Sequence, residues 1–363
     1  MANRRFIEKP FSQINVDDPF FDSLKADYPE NKATATGFIS WFAKCSRLGR
    51  KAWIFEDDEG ICAFIAMKPE AEVIEMEGSD LPVENRLKIA TLKLAERYRG
   101  KRIGEGAMGI VLWYWQKEQA QEIYVTVFDD HQDLIGQLER FGFENAGYNK
   151  NHERVYIKNR SRIDYSDPYK SYPFVRPDFE RCAILSIYDY YHDTMFPYSE
   201  LANTSQEMVA LNVANGVSKV YIGYGSEYAC TENCPVFIYR IHNGENKKHK
   251  SCITSYCMVK NVVTIKKHGI AQKSLDEFKQ IVRNKTVFQD DELETMYNTK
   301  NDLTVIVVLY YGYFGVGNNV NYAWLNENGY WPTCHPNYAV LSRQQFGEIL
   351  ERGRKNVQDV IID

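Results

Sequence analysis

Ala95-Glu-Arg-Tyr-Arg-Gly-Lys-Arg-Ile-Gly-Glu-Gly-Ala-Met-Gly109 is the stretch on which the reading of this chain turns. It follows an apolar run at 87–94 and leads into a segment ending near Gln116. That segment puts Ala107, Met108, Val111, Leu112 and Trp115 on one face at helical spacing. The order is strand, a turn rich in glycine and arginine, then a helix N-terminus. Such an order gathers backbone N–H donors and the positive end of a helix dipole around one small volume, which suits a phosphate group.

Two familiar phosphate motifs do not account for it. G-x-x-x-x-G-K-[ST] is absent, because Ala107 and Met108 follow Gly104-Glu105-Gly106. Gly104-x-Gly106-x-x-Gly109 satisfies G-x-G-x-x-G to the letter. A dinucleotide fold also wants an acidic residue at the end of the next strand of a βαβ unit, and the pattern after 122–128 is helix and hairpin instead.

Outward from the turn, 53–56 and 62–68 read as a hairpin across Asp57-Asp58-Glu59-Gly60. Residues 122–128 alternate as a strand, 132–141 read as a helix stopped by Gly142, and 143–158 as a closing hairpin. Residues 159–180 carry three prolines and three tyrosines with no apolar period, and read as a surface linker. Beyond it the pattern is strands at 219–223, 236–241, 253–265 and 303–314. Capping boxes at Ser274-x-x-Glu277 and Ser342-x-x-Gln345 mark two helices. The expected architecture is an α/β domain over 1–158, a linker over 159–180, and an α+β domain over 181–363 built on a curled sheet or small barrel.

A chain of 363 residues is long for one domain, which agrees with this division. Its 44% hydrophobic content supplies real cores and excludes a disordered chain. The net charge is −5, and acidic residues outnumber basic ones on both sides of Arg160, so any nucleic-acid role needs a local site. Apolar runs fall short of a membrane span, the first residues lack the apolar core of a secretory signal, and eight cysteines are scattered along the chain. A cytoplasmic location with reduced thiols is the expectation.

The turn and its surroundings resemble the GNAT N-acetyltransferase family. Arg99-Gly100-Lys101-Arg102-Ile103-Gly104 is similar to that family's motif, Gln/Arg-x-x-Gly-x-Gly/Ala between a strand and a helix. Ile123-Tyr-Val-Thr-Val127 resembles its next strand, and Leu138-Glu-Arg-Phe-Gly-Phe143 resembles its Tyr-Glu-Lys-x-Gly-Phe helix end. The resemblance implies a mixed sheet with flanking helices and acetyl-CoA as co-substrate. In that reading the turn from Arg99 through Gly100, Lys101, Arg102, Ile103 and Gly104 to Gly106 cradles the pyrophosphate. Arg99, Lys101 and Arg102 add charge, and backbone groups near Leu92 and Leu94 hold the pantetheine arm.

Two residues depart from the family pattern. Arg102 stands where the first motif glycine is usual, so it must avoid positive φ or accept strain. Leu138 stands where a tyrosine often protonates the departing thiolate. That leaves Tyr148 or Tyr114 as the general acid, or solvent, or a loss of activity. The amine must also lose a proton. Glu72, Glu75, Glu77 and Glu84 precede the central strand, and Glu84 is nearest to it. His131 opens the following helix and has a structural role there.

The second half resembles, more weakly, the PUA-like group that includes ASCH and EVE domains. The carriers are Asn215-Gly-Val-Ser-Lys-Val-Tyr-Ile222, Cys234-Pro-Val-Phe-Ile-Tyr-Arg240 and Cys252-Ile-Thr-Ser-Tyr-Cys-Met-Val-Lys260. The implied role is recognition of RNA or a modified base. Lys219, Tyr221, Tyr239 and Arg240 would line a cleft, rimmed by Tyr188, Tyr190, Tyr191 and His192; the alternative is that these are half-buried strand residues. Asn246-Lys-Lys-His-Lys250 reads as a solvated hairpin tip. Cys230, Cys234, Cys252, Cys257 and Cys334-His335 lack clean zinc spacing, so no metal is expected and the thiols read as buried.

Together these readings predict an acetyl-CoA-dependent N-acetyltransferase acting on an RNA-associated amine. The acceptor would be tRNA, aminoacyl-tRNA or a ribosome-associated protein, a pairing compatible with a toxin or defence role. The alternative is a non-catalytic CoA-binding sensor or RNA reader with a degenerate acetyltransferase domain.

Overall fold

The computed structural model describes residues 5–31, 33–199, 212–225 and 227–362. The backbone packs as two units. The first takes the chain as far as Leu138 and again over Phe143–Ser161; the second holds Glu139–Gly142 and everything from Arg162 onward. Among the described residues no helix is long and apolar enough to cross a membrane.

The first unit is a seven-stranded sheet in the order β1-β2-β3-β4-β5-β7-β6. Its strands are β1 (Ile7–Pro10), β2 (Lys51–Asp57), β3 (Gly60–Glu70), β4 (Arg86–Leu94), β5 (Glu122–Val127), β6 (Glu144–Tyr148) and β7 (Arg154–Asn159). The β2–β3 hairpin forms across the expected turn, with Asp57 opposite Gly60 and the Asp57 carboxylate accepting from the Glu59 amide at 2.8 Å. All neighbours run antiparallel except β4 and β5, which are parallel and joined through helix α3 (Ile103–Glu118). Helices α1 (Asp22–Asp27) and α2 (Phe38–Arg47) precede the hairpin, and α4 (Gln132–Arg140) follows β5.

Packing explains why these elements form. The five apolar α3 residues picked out by spacing are all buried, and the Trp115 indole donates to the Ala120 carbonyl at 2.9 Å just past the helix end. Another core joins Phe11, Phe21, Phe38, Phe42 and Phe64, with ring centroids as close as 4.9 Å. Edge-to-face aromatic contacts of this kind hold better than area alone accounts for.

The second unit carries an eight-stranded sheet. Its main path is β15-β8-β10-β11-β13-β9, with β12 and β14 attached to β11. The strands are β8 (Arg181–Tyr188), β9 (Ser218–Gly223), β10 (Pro235–Ile241), β11 (Cys252–Lys267), β12 (Ile270–Ala271), β13 (Leu303–Tyr313), β14 (Val320–Asn321) and β15 (Val340–Ser342). The sheet does not close, so of the two forms expected the small barrel is not the one adopted. Both capping boxes form, with Ser274 and Ser342 each accepting from the amide three residues on at 3.2 Å.

One expectation fails. The supposed surface linker is, from Pro168 on, part of the second core. Tyr169, Tyr172, Phe174, Val175 and Phe179 are buried, Tyr172 donates to the Tyr310 carbonyl at 3.1 Å, and the Val175 amide pairs with the Val360 carbonyl at 2.9 Å. Prolines removed the periodic signal, yet the aromatic residues between them supply the apolar area that folding needs.

Candidate functional site

The site begins with a break in the first sheet. β4 and β5 pair only at Arg86–Glu122, Leu87–Ile123 and Lys88–Tyr124. Beyond Lys88, β4 continues against β3 as far as Leu94, with a bulge near Ala66–Met67, while β5 continues against β7 as far as Val127. Two inner strand edges therefore part like a V, and each leaves backbone N–H and C=O groups without a strand partner across the gap. At the closed end, Arg86 and Glu122 form a buried ion pair at 2.7 Å. Arg86 also donates to the carbonyls of Glu72 and Pro82, and Asn159 donates to the second oxygen of Glu122, so this pair is fully dressed.

The turn after β4 is pinned to the β2–β3 hairpin. The Ala95 amide donates to the Cys62 carbonyl at 2.7 Å, Tyr98 OH donates to Asp57 Oδ2 at 2.6 Å, and Arg97 reaches Asp57 Oδ1 at 3.0 Å. Burial works against a charge on Asp57, but the hydrogen bonds from Tyr98 and Arg97 outweigh it and hold the carboxyl well below the usual range. Gly100 then takes φ +77°, and the first bond of α3 closes from the Gly106 amide to the Arg102 carbonyl at 3.2 Å. Ile103 and Gly104 have no helical carbonyl four residues back, and the N-cap side chain, Arg102, makes no capping bond to the helix. The helix start is thus an uncapped donor cluster with the dipole's positive end behind it.

Most of the residues expected at this turn take positions around the cluster. Gly100 and Lys101 are exposed, Gly104 is half-buried, and Ile103 and Gly106 are buried. A Cβ on Gly104 would stand 3.3 Å from Leu94 Cδ1, so α3 packs closely on β4 at this glycine. Arg99 is exposed and reaches Asp133 at 3.3 Å; Lys101 Nζ lies 4.6 Å from the centre of the Tyr98 ring. Leu92 and Leu94 lie on the parted length of β4, half exposed.

Arg102 is the exception. It adopts φ +63°, the left-handed conformation that glycine would take without cost, at about 1–2 kcal/mol for any other residue. Its guanidinium folds back onto Glu105, with Nε at 3.0 Å and Nη2 at 2.5 Å from the same carboxylate oxygen. Both side chains are nearly buried. Arg102 therefore neutralises a first-turn carboxylate that would otherwise repel an anion.

Of the three residues drawn as acid or base, one bonds a residue just past the open end of β5. Tyr148 donates to Asp129 at 3.1 Å, and Asp129 lies two residues past the end of β5. Arg154 also bonds Asp129 and holds its carboxyl below the usual range. Tyr114 is not brought there. It sits about 16 Å along α3 from its start, near Glu118 and the β1 residue Glu8, and burial together with Glu118 pushes its phenol up to about 12. Glu84 is also misplaced: it lies at the closed end, roughly 25 Å back along β4 from Leu92, and caps the Asn85 amide at 2.8 Å.

The fork itself holds a pair that sequence reading missed. Tyr124, at the last paired position of β5, donates to Glu70 at the end of β3, and Lys68 sits 2.8 Å from the same carboxylate. Burial opposes the Glu70 charge, and the bonds from Lys68 and Tyr124 more than offset it. Leu138 is fully buried. His131 is exposed, and its carbonyl accepts the first α4 amides, as a structural helix start should.

Residues 17–143 match the model of the acetyltransferase (GNAT) family. This stretch is a GNAT acetyltransferase domain. Solved structures similar to the chain include a GNAT acetyltransferase from Listeria monocytogenes, 16% identical over 44% of this chain and 98% of its own, with a TM-score of 0.32. NAA60 of Arabidopsis thaliana, solved with acetyl-CoA, is 18% identical over 42% and 96%, with a TM-score of 0.30. A mutant ASCH protein from Zymomonas mobilis is 7% identical over 47% and 96%, with a TM-score of 0.32. No curated protein matches the chain. Within the GNAT domain, the parted strands and the uncapped start of α3 face the same turn.

Outside the GNAT domain, the cleft drawn from Lys219, Tyr221, Tyr239 and Arg240 does not assemble. Lys219 is fully buried and donates to the Val213 carbonyl at 2.5 Å. Arg240 is buried in a two-pronged ion pair with Asp193, at 2.7 and 2.8 Å. Tyr221 OH accepts from Asn337 at 2.7 Å. Both cations are therefore spent on partners inside the unit. The reason is that β9 and β10 are covered on both faces, so alternation along them does not separate core from solvent. Tyr188 and Tyr190 are exposed, Tyr191 packs on Phe288, and His192 is buried between Asp193 and Thr254. Cys230, Cys234, Cys252 and Cys257 are buried thiols, and burial pushes Cys252 up to about 12.

Proposed function

We propose that the first unit transfers an acetyl group from acetyl-CoA to an amine. The observation that carries this is the parting of β4 and β5 beside an uncapped helix start. An extended thioester arm needs unpaired strand edges for its amides, and its pyrophosphate needs a donor cluster free of side-chain caps. The residues fit the co-substrate: of the amides of 100–104, all but that of Lys101, which donates to the Tyr98 carbonyl at 3.1 Å, would hold the pyrophosphate, Arg99 and Lys101 would add charge, and β4 near Leu92 and Leu94 would hold the arm.

In this reading the backbone edge of β4 orients the thioester carbonyl and stabilises the oxyanion as a neutral amine attacks. The C–N bond forms, the C–S bond breaks, and the thiolate takes a proton. Tyr148, backed by Asp129, is the side chain best supported for that proton. The ammonium proton leaves through water, from which the Tyr124–Glu70 pair would receive it.

We further propose an RNA-associated amine as acceptor, carried on tRNA, aminoacyl-tRNA or a ribosome-associated protein. Its support is narrower than the sequence promised, since Lys219 and Arg240 are buried on partners inside the unit; Tyr239 keeps Trp331 at 4.4 Å and Tyr221 keeps Tyr228 at 6.0 Å between ring centres. A second reading, a CoA-binding sensor without catalysis, is favoured by the buried Leu138 in the place of the usual acid. Labelled acetyl-CoA offered with total tRNA, charged tRNA and cell lysate separates the two. Labelled product in an RNA-linked fraction is expected. Tight CoA binding with no labelled product in any fraction would sink the enzyme reading.

A further inference from the structure

β3 and β4 carry four basic residues, Lys68, Arg86, Lys88 and Lys93, and three of them have polar partners. Arg86 pairs with Glu122, Lys68 with Glu70 at 2.8 Å and Glu72 at 3.2 Å, and Lys93 donates to Ser23. Lys88 is the fourth. Its ammonium lies 5.5 Å from the centre of the Tyr124 ring, and among the described residues no carboxylate comes within ion-pair distance of it. The residue is half-buried, at the last paired position of β4 before the strands part.

Register decides which way it faces. Leu94 pairs with Ala63, and Lys88 pairs with Lys68, five residues further along β3. That odd step turns the two side chains to opposite faces of the pleat. Gly104 of α3 packs on Leu94, so Lys88 and its neighbour Tyr124 look out from the face away from the start of α3. An amine acceptor must come in from that face, because α3 covers the other.

The length of the co-substrate brings its reacting carbon to the same place. About fourteen bonds separate the pyrophosphate from the thioester carbon, roughly five strand residues at three backbone bonds each. An arm that starts beside Leu94 and runs back along the parted edge of β4 therefore ends at Ile89. Lys88 is the next residue, and its flexible four-carbon stem lets the nitrogen fold back over its neighbour.

We propose that Lys88 is a self-acetylation site, its Nζ taking the acetyl group from acetyl-CoA bound in the same chain. This rests on acetyl transfer by the first unit. The Lys88 ammonium gives a proton through water to Glu70, whose negative charge it already favours. The nitrogen attacks the thioester carbon, the C–N bond forms, the C–S bond breaks, and the thiolate takes up a proton. The products are an acetamide on Lys88 and CoA. The face that receives an amine thereby loses an unpaired positive charge, so acetylation changes which acceptors the site admits.

Mass spectrometry of the full chain, incubated with acetyl-CoA bearing a deuterated acetyl group, tests this. Label should reach Lys88 at least about ten-fold faster than the exposed Lys44 and Lys117, because a nitrogen held beside the thioester needs no second encounter. That rate should not change when the protein is diluted at fixed acetyl-CoA. Gly104→Glu should bring Lys88 down to the background of the exposed lysines. Label on Lys88 no faster than on Lys117, or a rate that rises with protein concentration, overturns the proposal. Cell lysate offered as acceptor in a parallel incubation keeps the two failures apart. Labelled amines in the lysate with Lys88 unmodified sink self-acetylation alone, whereas no label anywhere sinks acetyl transfer with it.

Discussion

The start of α3 and the second sheet both present cations in sequence, and the fold treats them in opposite ways. At the turn, Arg99 and Lys101 project from a loop, while the main donors belong to the backbone. In the second sheet, Lys219 and Arg240 sit on strands covered on both faces and are consumed by Val213 and Asp193. A site built from main-chain geometry is announced by turn and glycine chemistry. A site built from strand side chains is announced only when the exposed face is known.

The contrast is sharpest in stability. Arg240→Ala takes the two-pronged partner from Asp193, leaving it His192 alone, and is expected to cost about 3 kcal/mol in urea unfolding. Arg99→Ala should stay within about 0.5 kcal/mol of the parent. Equal losses in the two variants would erase the distinction between spent and available cations.

The next largest effect is on ligand binding. Gly104→Glu puts a carboxylate against the phosphate cradle and a side chain against Leu94. Calorimetry with CoA should show affinity falling about a hundred-fold or more, the sum of lost packing and charge repulsion. An unchanged affinity would mean that the cradle lies elsewhere.

Arg102 offers a finer test. Arg102→Ala removes the guanidinium paired with Glu105 at the helix start, and CoA should bind about ten-fold more weakly, near 1.4 kcal/mol. Arg102→Gly combined with Glu105→Gln removes the charge and the left-handed strain together, and should recover parental affinity. If the double variant stays weak, Arg102 contacts the ligand directly.

The smallest effect is a pH dependence confined to the second unit. Burial lowers the His192 imidazole below its ordinary value, against the opposing bond to Asp193. The unfolded chain then takes up this proton at higher pH than the native one. The contribution is complete above about pH 6.5 and is lost as pH falls from there toward the folded value. Thermal unfolding of the second unit should follow this trend, and His192→Gln should flatten it.

Local signals carried much of the fold into view. The β2–β3 hairpin, the order of β4, turn and α3, and both capping boxes rest on neighbours in sequence, and they formed. What escaped notice depended on distant partners. Pro168, Pro173 and Pro177 masked a stretch whose aromatic residues close the second core. Glu84 is near β4 in sequence but at its closed end, whereas Glu70 and Tyr124, 54 residues apart, meet at the fork. Trp331 reaches Tyr239 from a loop some ninety residues on, and no local pattern pairs them.

The three-residue contact between β4 and β5 also governs how the first sheet exchanges with solvent. With only Arg86–Lys88 paired across that seam, alternate amides of 89–94 belong to no internal ladder. They should trade their hydrogens for deuterium quickly in the free protein, although they sit mid-sheet between strands that exchange slowly. A guest strand-like molecule would convert this interior seam into ordinary sheet, so the slowing of those few amides reports occupancy without any chemistry taking place.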